Sequence, residues 1–162
     1  MGSSCPLRPA SGRAALPGGG LALSGGVAVE HATRADLLGQ QRPELAARIA
    51  TEGQGAALLA ARGPDGHWGR GFYAPKWTCS HYTLLELRAL RLPPTNPAAR
   101  LTVALILQRE VGRDGGLNPS RTVPFSDVCV AGMALRYAAW FGGDPSALAG
   151  LTDWRYAAEL LG

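Results

Sequence analysis

Two segments of the chain have nearly the same pattern about 49 residues apart. Residues 63–69 read GPDGHWG, and residues 112–118 read GRDGGLN. A loop follows each segment, and then a stretch rich in Leu or Ala. The pairs Asn96-Pro97 and Asp144-Pro145 recur at almost the same offset, and a capping residue before proline is typical of a helix start. A period of this length predicts stacked helical hairpins.

The hydrophobic pattern between these markers predicts six helices. Apolar residues recur at helical spacing, and the predicted ends coincide with Gly and Pro turns. The first predicted helix begins near Arg34 and contains Leu37 and Leu38, and the second spans Glu44–Arg62. The other four begin at Thr78 or Ser80, at Asn96, at Ser126 or Asp127, and at Asp144. The fold class is therefore expected to be all-α, with long Gly-rich loops alternating with short Pro-marked turns.

Length and composition predict one folded domain with a tail. The chain has 162 residues, of which 46% are hydrophobic and 17% charged, which is enough to bury a core. Residues 1–32 are rich in Gly, Ser, Pro and Ala without a sustained period, so this segment is expected to be disordered. The hairpins, about three in number, are expected to occupy residues 33–162.

Charge and cysteine content exclude several classes of function. The net charge is +4, but the arginines are scattered and Lys76 is the single lysine, so nucleic acid is not an expected partner. Three cysteines without framework spacing argue against a disulfide scaffold and for a reducing compartment. The sequence has no apolar run long enough to span a membrane. A cytoplasmic location is the prediction.

The repeated segments resemble a known superfamily. The stretches DGHW at residues 65–68, FYAPKWTCSHYTLL at 72–85 and SDVCVAGM at 126–133 are similar to the repeats of squalene cyclases and protein prenyltransferases, more narrowly to uncharacterised bacterial members. The resemblance covers about Ala35 to Gly162. It implies part of an α/α toroid, in which inner helices line a central cavity and outer helices surround them.

Departures from the family pattern favour a protein without catalytic activity. In the cyclases a Gln stands where this chain has Arg62, and a Trp where the second unit has Leu117. Their proton-donating Asp-x-Asp-Asp motif does not occur in the sequence, so no catalytic residue is assigned. The predicted function is a ligand- or protein-binding module. The alternative is a terpenoid cyclase or a zinc-dependent prenyltransferase-like enzyme that needs further repeats or a partner chain.

The resemblance also implies a candidate metal site. Prenyltransferase β subunits bind zinc partly through an Asp-x-Cys at the start of an inner helix, and here Asp127 and Cys129 match it. The repeat offset places His81 near the start of the neighbouring inner helix, so it is the predicted third ligand. A purely structural interpretation stays open, with Asp127 as a helix cap, Cys129 as a small buried residue and His81 as a hydrogen-bonded residue.

Aromatic residues are the candidates for lining a cavity. Family cyclases stabilise carbocations with aromatic faces, and the resemblance assigns that position here to Trp77, Tyr82 and Tyr137. Trp68 lies within the repeated turn, so we expect it to pack the long loop against the helix pair. The expected partners are an apolar small molecule or a protein, and unpaired apolar helix faces at the end of a stack also predict self-association.

Overall fold

The structure, a computed structural model, describes residues 26–120 and 122–161. In this part of the chain the regular structure is helical, with one isolated bridge between Val111 and Leu117. The seven helices are α1 (Val27–Asp36), α2 (Pro43–Arg48), α3 (Gly53–Ala60), α4 (Ser80–Ala89), α5 (Pro97–Arg109), α6 (Val128–Trp140) and α7 (Pro145–Leu161). The predicted all-α class is confirmed.

The last four helices carry the architecture that positions the candidate site. Helix α6 packs against both α7 and α4, while α3 contacts α4 and α1 contacts α2. One core joins them, because Ile49, Leu84, Ile106, Tyr137 and Leu151 belong to a single buried cluster. We call α4 and α6 the lead helices, since each follows one of the two repeat loops, residues 63–79 and 112–127. The Trp140 indole at the end of α6 donates to the Leu92 carbonyl just after α4 at 2.9 Å, so the two lead helices run in the same direction and their loops lie at the same end.

Both repeat loops begin with the same hydrogen-bonded turn. The Gly63 N–H donates to the His67 carbonyl at 2.7 Å, and the Gly112 N–H donates to the Gly116 carbonyl at 2.7 Å. The donors are 49 positions apart, and so are the acceptors. The sequence repeat is therefore also a repeat of backbone geometry.

An aspartate closes each of these turns. The Asp65 carboxylate accepts a hydrogen bond from the His67 N–H at 3.1 Å, and the Asp114 carboxylate accepts one from the Gly116 N–H at 3.4 Å. A short acidic side chain that bonds the backbone two residues further on stabilises a turn without help from the rest of the fold. This explains why both copies retain the Asp.

The helices that follow the lead helices begin at the predicted caps. The Asn96 side chain accepts from the Ala99 N–H at 3.1 Å, and the Asp144 side chain accepts from the Ala147 N–H at 2.9 Å. These bonds satisfy amides that a helix start otherwise leaves unpaired. Both predicted helix starts are confirmed.

The lead helices also end alike. The Leu92 N–H donates to the Leu87 carbonyl at 3.0 Å, and the Gly143 N–H donates to the Ala138 carbonyl at 2.8 Å. The residue before each of these amides has a positive φ, 62° in one case and 71° in the other. This six-residue closure is a Schellman motif, which stops the helix and turns the chain back sharply.

The predicted helix over Glu44–Arg62 is wrong in its middle. The chain forms two shorter helices, α2 and α3, separated by a turn at residues 49–52. Gly53 has a φ of 59°, which a continuous helix cannot contain. A Cβ at Gly55 would lie 2.2 Å from the Ile49 carbonyl oxygen, so these glycines allow the close bend that breaks the helix.

The predicted boundary of the tail is also corrected. Residues 1–25 lie outside the described part of the chain, whereas Val27–Asp36, most of it assigned to the tail, forms helix α1. An ion pair between Glu30 and Arg34 one turn apart, at 2.9 Å, supports this helix, as does the burial of Thr33. Leu37 and Leu38 follow the helix instead of forming it. Among the described helices, none has the length and hydropathy needed to cross a membrane.

Alanine substitutions at the two turn glycines should lower the free energy of unfolding by unequal amounts. Gly66 and Gly115 have φ values of 86° and 89°, so alanine is strained at both, by about 1–2 kcal/mol. A Cβ at Gly66 would also lie 2.7 Å from the Leu105 side chain, whereas the nearest atom at Gly115 is 3.6 Å away. We expect Gly66→Ala to lower the free energy of unfolding by about 2–4 kcal/mol and Gly115→Ala by about 1–2 kcal/mol.

Gly150→Ala is the matched control for these substitutions. Gly150 lies inside α7, and a Cβ there meets nothing within 4 Å, so the substitution should stabilise the protein by about 0.5–1 kcal/mol. Urea unfolding of the three variants measures the order. Equal losses at Gly66 and Gly115 would contradict the predicted contact with Leu105.

Candidate functional site

A buried apolar side chain follows each turn and anchors its loop. Trp68 is 2% exposed and Leu117 is fully buried, at equivalent positions of the two repeats. The Trp68 indole N–H also donates to the Leu58 carbonyl in α3 at 2.6 Å. The predicted packing role of Trp68 is confirmed. Leucine fills the equivalent space in the second repeat but has no group that could make this bond.

One serine next to the start of each lead helix forms hydrogen bonds with the preceding turn. The Ser80 hydroxyl accepts from the Trp68 N–H at 3.0 Å and lies 2.9 Å from the His67 Nδ1. In the second repeat the Ser126 hydroxyl donates to the Asp114 carboxylate at 2.6 Å. Ser80 therefore does not cap α4 as predicted, because its hydroxyl is used by the loop.

The cap of the other lead helix agrees with the sequence. Asp127, one of the two predicted capping residues, accepts from the Val130 N–H at 2.9 Å. On α4 the residue before the helix is Cys79, whose side chain makes no capping bond. The two lead helices thus begin differently although their loops are repeats.

The two serines predict a second pair of unequal substitutions. Ser80 is fully buried, so Ser80→Ala leaves the Trp68 amide and the His67 ring without their partner away from water. We expect a loss of about 2–3 kcal/mol in the free energy of unfolding. Ser126→Ala should cost less than about 1 kcal/mol, because water can replace its exposed bond to Asp114. Denaturant unfolding of both variants compares them, and similar losses would contradict the assigned role of Ser80.

Next to the first turn lies a group of contacting rings, which we call the aromatic cluster. Its members are Phe72, Tyr73, Trp77, His81, Tyr82 and Tyr137. His81 is at the centre, with its ring centroid 5.1 to 5.7 Å from those of four neighbours, Phe72, Tyr73, Tyr82 and Tyr137. Edge-to-face and tilted contacts at such distances are favourable. The cluster joins the first repeat loop to both lead helices.

The His81 imidazole is neutral in this environment. The residue is fully buried, its Nδ1 is 3.4 Å from the Tyr137 hydroxyl, and its Nε2 has no hydrogen-bond partner. Burial lowers the pKa of His81 to about 4, although the charge of Asp127 acts in the opposite direction. Burial likewise raises the pKa of the Tyr137 hydroxyl. The centre of the cluster therefore carries no charge at neutral pH.

This burial predicts acid sensitivity. The pKa of His81 is lower in the folded than in the unfolded chain, where it is near 6.5, so the unfolded state binds the proton more tightly. The contribution of His81 to stability is complete above pH 6.5 and declines as the pH falls towards 4. The expected decline is on the order of 2–3 kcal/mol.

Unfolding curves of the wild type and His81→Phe between pH 7 and pH 4 measure this effect. The variant keeps a ring but cannot take up a proton, so its free energy of unfolding should fall less than that of the wild type. Trp77→Ala serves as the control, because it changes the edge of the aromatic cluster, leaves His81 and its four ring neighbours in place, and should keep the wild-type slope. Equal slopes for the wild type and His81→Phe would contradict the assignment.

The predicted cavity-lining residues lie in three different environments. Tyr137 is 1% exposed, Tyr82 is half-buried, and Trp77 is 69% exposed. The Tyr82 hydroxyl lies 3.0 Å from that of Tyr73, and its ring is 4.7 Å from the ring of Trp77. The structure thus brings these residues together as parts of the aromatic cluster, and none of them borders the cleft described below.

The predicted metal ligands do not form a three-ligand group. His81 is buried among rings, Asp127 is used as a helix cap, and Cys129 is exposed in a groove between α6 and α7. Within residues 26–120 and 122–161, no set of three or more His, Cys, Asp or Glu side chains is arranged to hold a metal ion. The residues present do not fit the zinc site that the resemblance implies.

A cleft of about 600 Å³ lies between the two repeat loops. It is bordered on one side by the first repeat loop and on the other by the end of α5 and the second repeat loop. Its lining residues are Asp65, His67, Arg70, Gly71, Phe72, Tyr73, Ala74, Arg109, Glu110, Asn118, Pro119 and Ser120. The volume lies within the range of small-molecule sites in proteins. Sequence reasoning missed this cleft.

Comparisons of the chain with protein-family models, with curated proteins and with solved structures give no match. The repeated loops, the aromatic cluster and the cleft are therefore the observations from which a function can be proposed. The cleft is the candidate functional site, because it combines a ligand-sized volume with charged, amide, hydroxyl and aromatic side chains.

Proposed function

We propose that this chain is a non-catalytic binding module. In this proposal it is part of an α/α toroid of the squalene cyclase and prenyltransferase type, and it holds a ligand or a segment of another protein between successive repeat loops. The observation that carries the proposal is the cleft of about 600 Å³ bordered by both repeat loops. Each stacked unit of a repeat protein contributes one loop to a shared surface, which is how such proteins build binding sites.

The lining of the cleft indicates the type of ligand. Arg70 and Arg109 offer hydrogen-bonding groups, while Tyr73 supplies aromatic carbon. The Asn118 and Ser120 side chains are engaged in hydrogen bonds within their own loop. A wholly apolar ligand would leave the polar groups without partners after displacing water, which costs free energy. A ligand or peptide with both polar and aromatic or apolar parts is therefore favoured over the purely apolar small molecule suggested by the resemblance.

Exposed aromatic side chains in the two repeat loops support a protein partner. Trp77 is 69% exposed and Phe125 is 72% exposed, and each lies three residues before a lead helix. Trp77 has a φ of 77°, which is strained for a bulky residue and costs about 1–3 kcal/mol. Exposed aromatic residues are common at protein interfaces.

The enzymatic alternative remains a proposal of lower rank. A zinc-dependent prenyltransferase or a terpenoid cyclase would need residues from further repeats or a partner chain. Only Asp127 and Cys129, both exposed at the start of α6, support it. Binding in the cleft needs no residue beyond those described.

Ligand titration, combined with a substitution whose side chain fills the cleft, tests the proposed function. The probe is a library of short peptides and amphipathic fragments, titrated into ¹⁵N-labelled protein while amide chemical shifts are recorded. Binding ligands should shift amides in residues 65–74 and 109–120. Ser120→Trp should abolish these shifts, because the indole would occupy the cleft, whereas Ser146→Trp, at an exposed position of α7, should leave them unchanged. Shifts confined to other regions, or no shift at millimolar concentration, would contradict the proposal.

A further inference from the structure

Two arginines that line the cleft have no ion pair or side-chain hydrogen bond with the described part of the chain. Arg70 lies in the first repeat loop and Arg109 at the end of α5, and both are exposed. The described residues form five ion pairs, and neither arginine takes part in any of them. Neither side chain donates a hydrogen bond to another described residue. Their guanidinium groups are therefore available to a ligand.

Two acidic residues also line the cleft. The Asp65 carboxylate is committed to its turn, where it accepts from the His67 N–H at 3.1 Å. Glu110, partly buried at the end of α5, is the other carboxylate in the lining. The formal charges of the lining cancel, so the two guanidinium groups would hold an anion through direct hydrogen bonds and not through a net positive charge.

An aromatic side chain lies in the same cleft and stays neutral. The Tyr73 hydroxyl is 3.0 Å from the Tyr82 hydroxyl, and this hydrogen bond, together with burial, raises the pKa of Tyr73. Phe72 lies beside it, with ring centroids 5.9 Å apart. The partly exposed Tyr73 ring therefore offers apolar contact without placing a negative charge in the cleft at neutral pH, and the buried Phe72 ring supports it from the core.

We propose that the cleft binds a ligand with an anionic head, a carboxylate or a phosphate, held by Arg70 and Arg109, and a flat apolar part that contacts Tyr73. This inference rests on the proposed function and specifies the ligand of the same site. The planar fork of arginine suits both oxyanions, since it donates two parallel hydrogen bonds to either group. The two sides of the cleft each contribute one cation, so the anion also bridges the first repeat loop and the end of α5.

A matched pair of fluorescent probes tests this inference. 8-Anilinonaphthalene-1-sulfonate carries an anionic group, and N-phenyl-1-naphthylamine has the same ring system without it. The wild type should bind the sulfonate about tenfold more tightly than the neutral probe. Arg70→Met and Arg109→Met should each reduce sulfonate affinity several-fold, and the double variant should bind both probes equally. Arg113→Met is the control, because this exposed arginine lies outside the cleft lining and should leave both affinities unchanged.

The outcomes distinguish failure of the anionic-ligand inference from failure of the proposed binding function. Tyr73→Ala should weaken both probes, because it removes the shared apolar contact. If Tyr73→Ala and Ser120→Trp weaken both probes but the arginine variants change neither, the proposed function stands and the anionic ligand is wrong. If none of the cleft variants changes either affinity, both proposals fail. Competition by inorganic phosphate or by acetate then shows which oxyanion the arginines prefer.

Discussion

The Gly-Asp-Gly turn is the constraint on which the rest of the structure depends. In both repeats the first glycine amide closes the turn on a carbonyl four residues later, and the aspartate bonds the amide two residues beyond itself. These local bonds fix the direction of the chain at the start of each loop. A serine then joins each turn to the region where its lead helix begins, Ser80 in one case and Ser126 in the other. The position of each lead helix therefore follows from its turn.

The cleft is a consequence of this arrangement. Because α4 and α6 pack side by side, the loops that precede them are also neighbours, and the space between the loops is left unfilled. The core beneath is closed by large buried side chains such as Tyr137 and Phe141, so the open volume lies at the loop end of the helices. The packing of the helices forms the cleft, and the side chains of the two loops determine which ligands it can bind.

Structural features set by a few adjacent residues were predictable from the sequence, whereas features set by residues far apart in the chain were not. The 49-residue period and the caps Asn96, Asp127 and Asp144 are written in a few adjacent residues, and the structure contains all of them. The break before α3 depends on how tightly Gly55 approaches Ile49, which helical periodicity does not report. Arg70 and Arg109 are 39 positions apart, so only the packing of the lead helices reveals that they border one cleft. The toroid, its inner cavity and the zinc site stay predictions, because they depend on residues brought together over still longer distances.

Trp68 and Leu117 occupy equivalent positions but attach their loops to different parts of the protein. Trp68 fixes the first loop to α3 through the bond from its indole nitrogen to Leu58, in addition to the bond from its amide to Ser80. Leucine fills the equivalent space but has no side-chain group that could bond to a preceding helix. The second loop is instead held by backbone hydrogen bonds, from Asn118 to the end of α5 and from the start of α6 to Leu117.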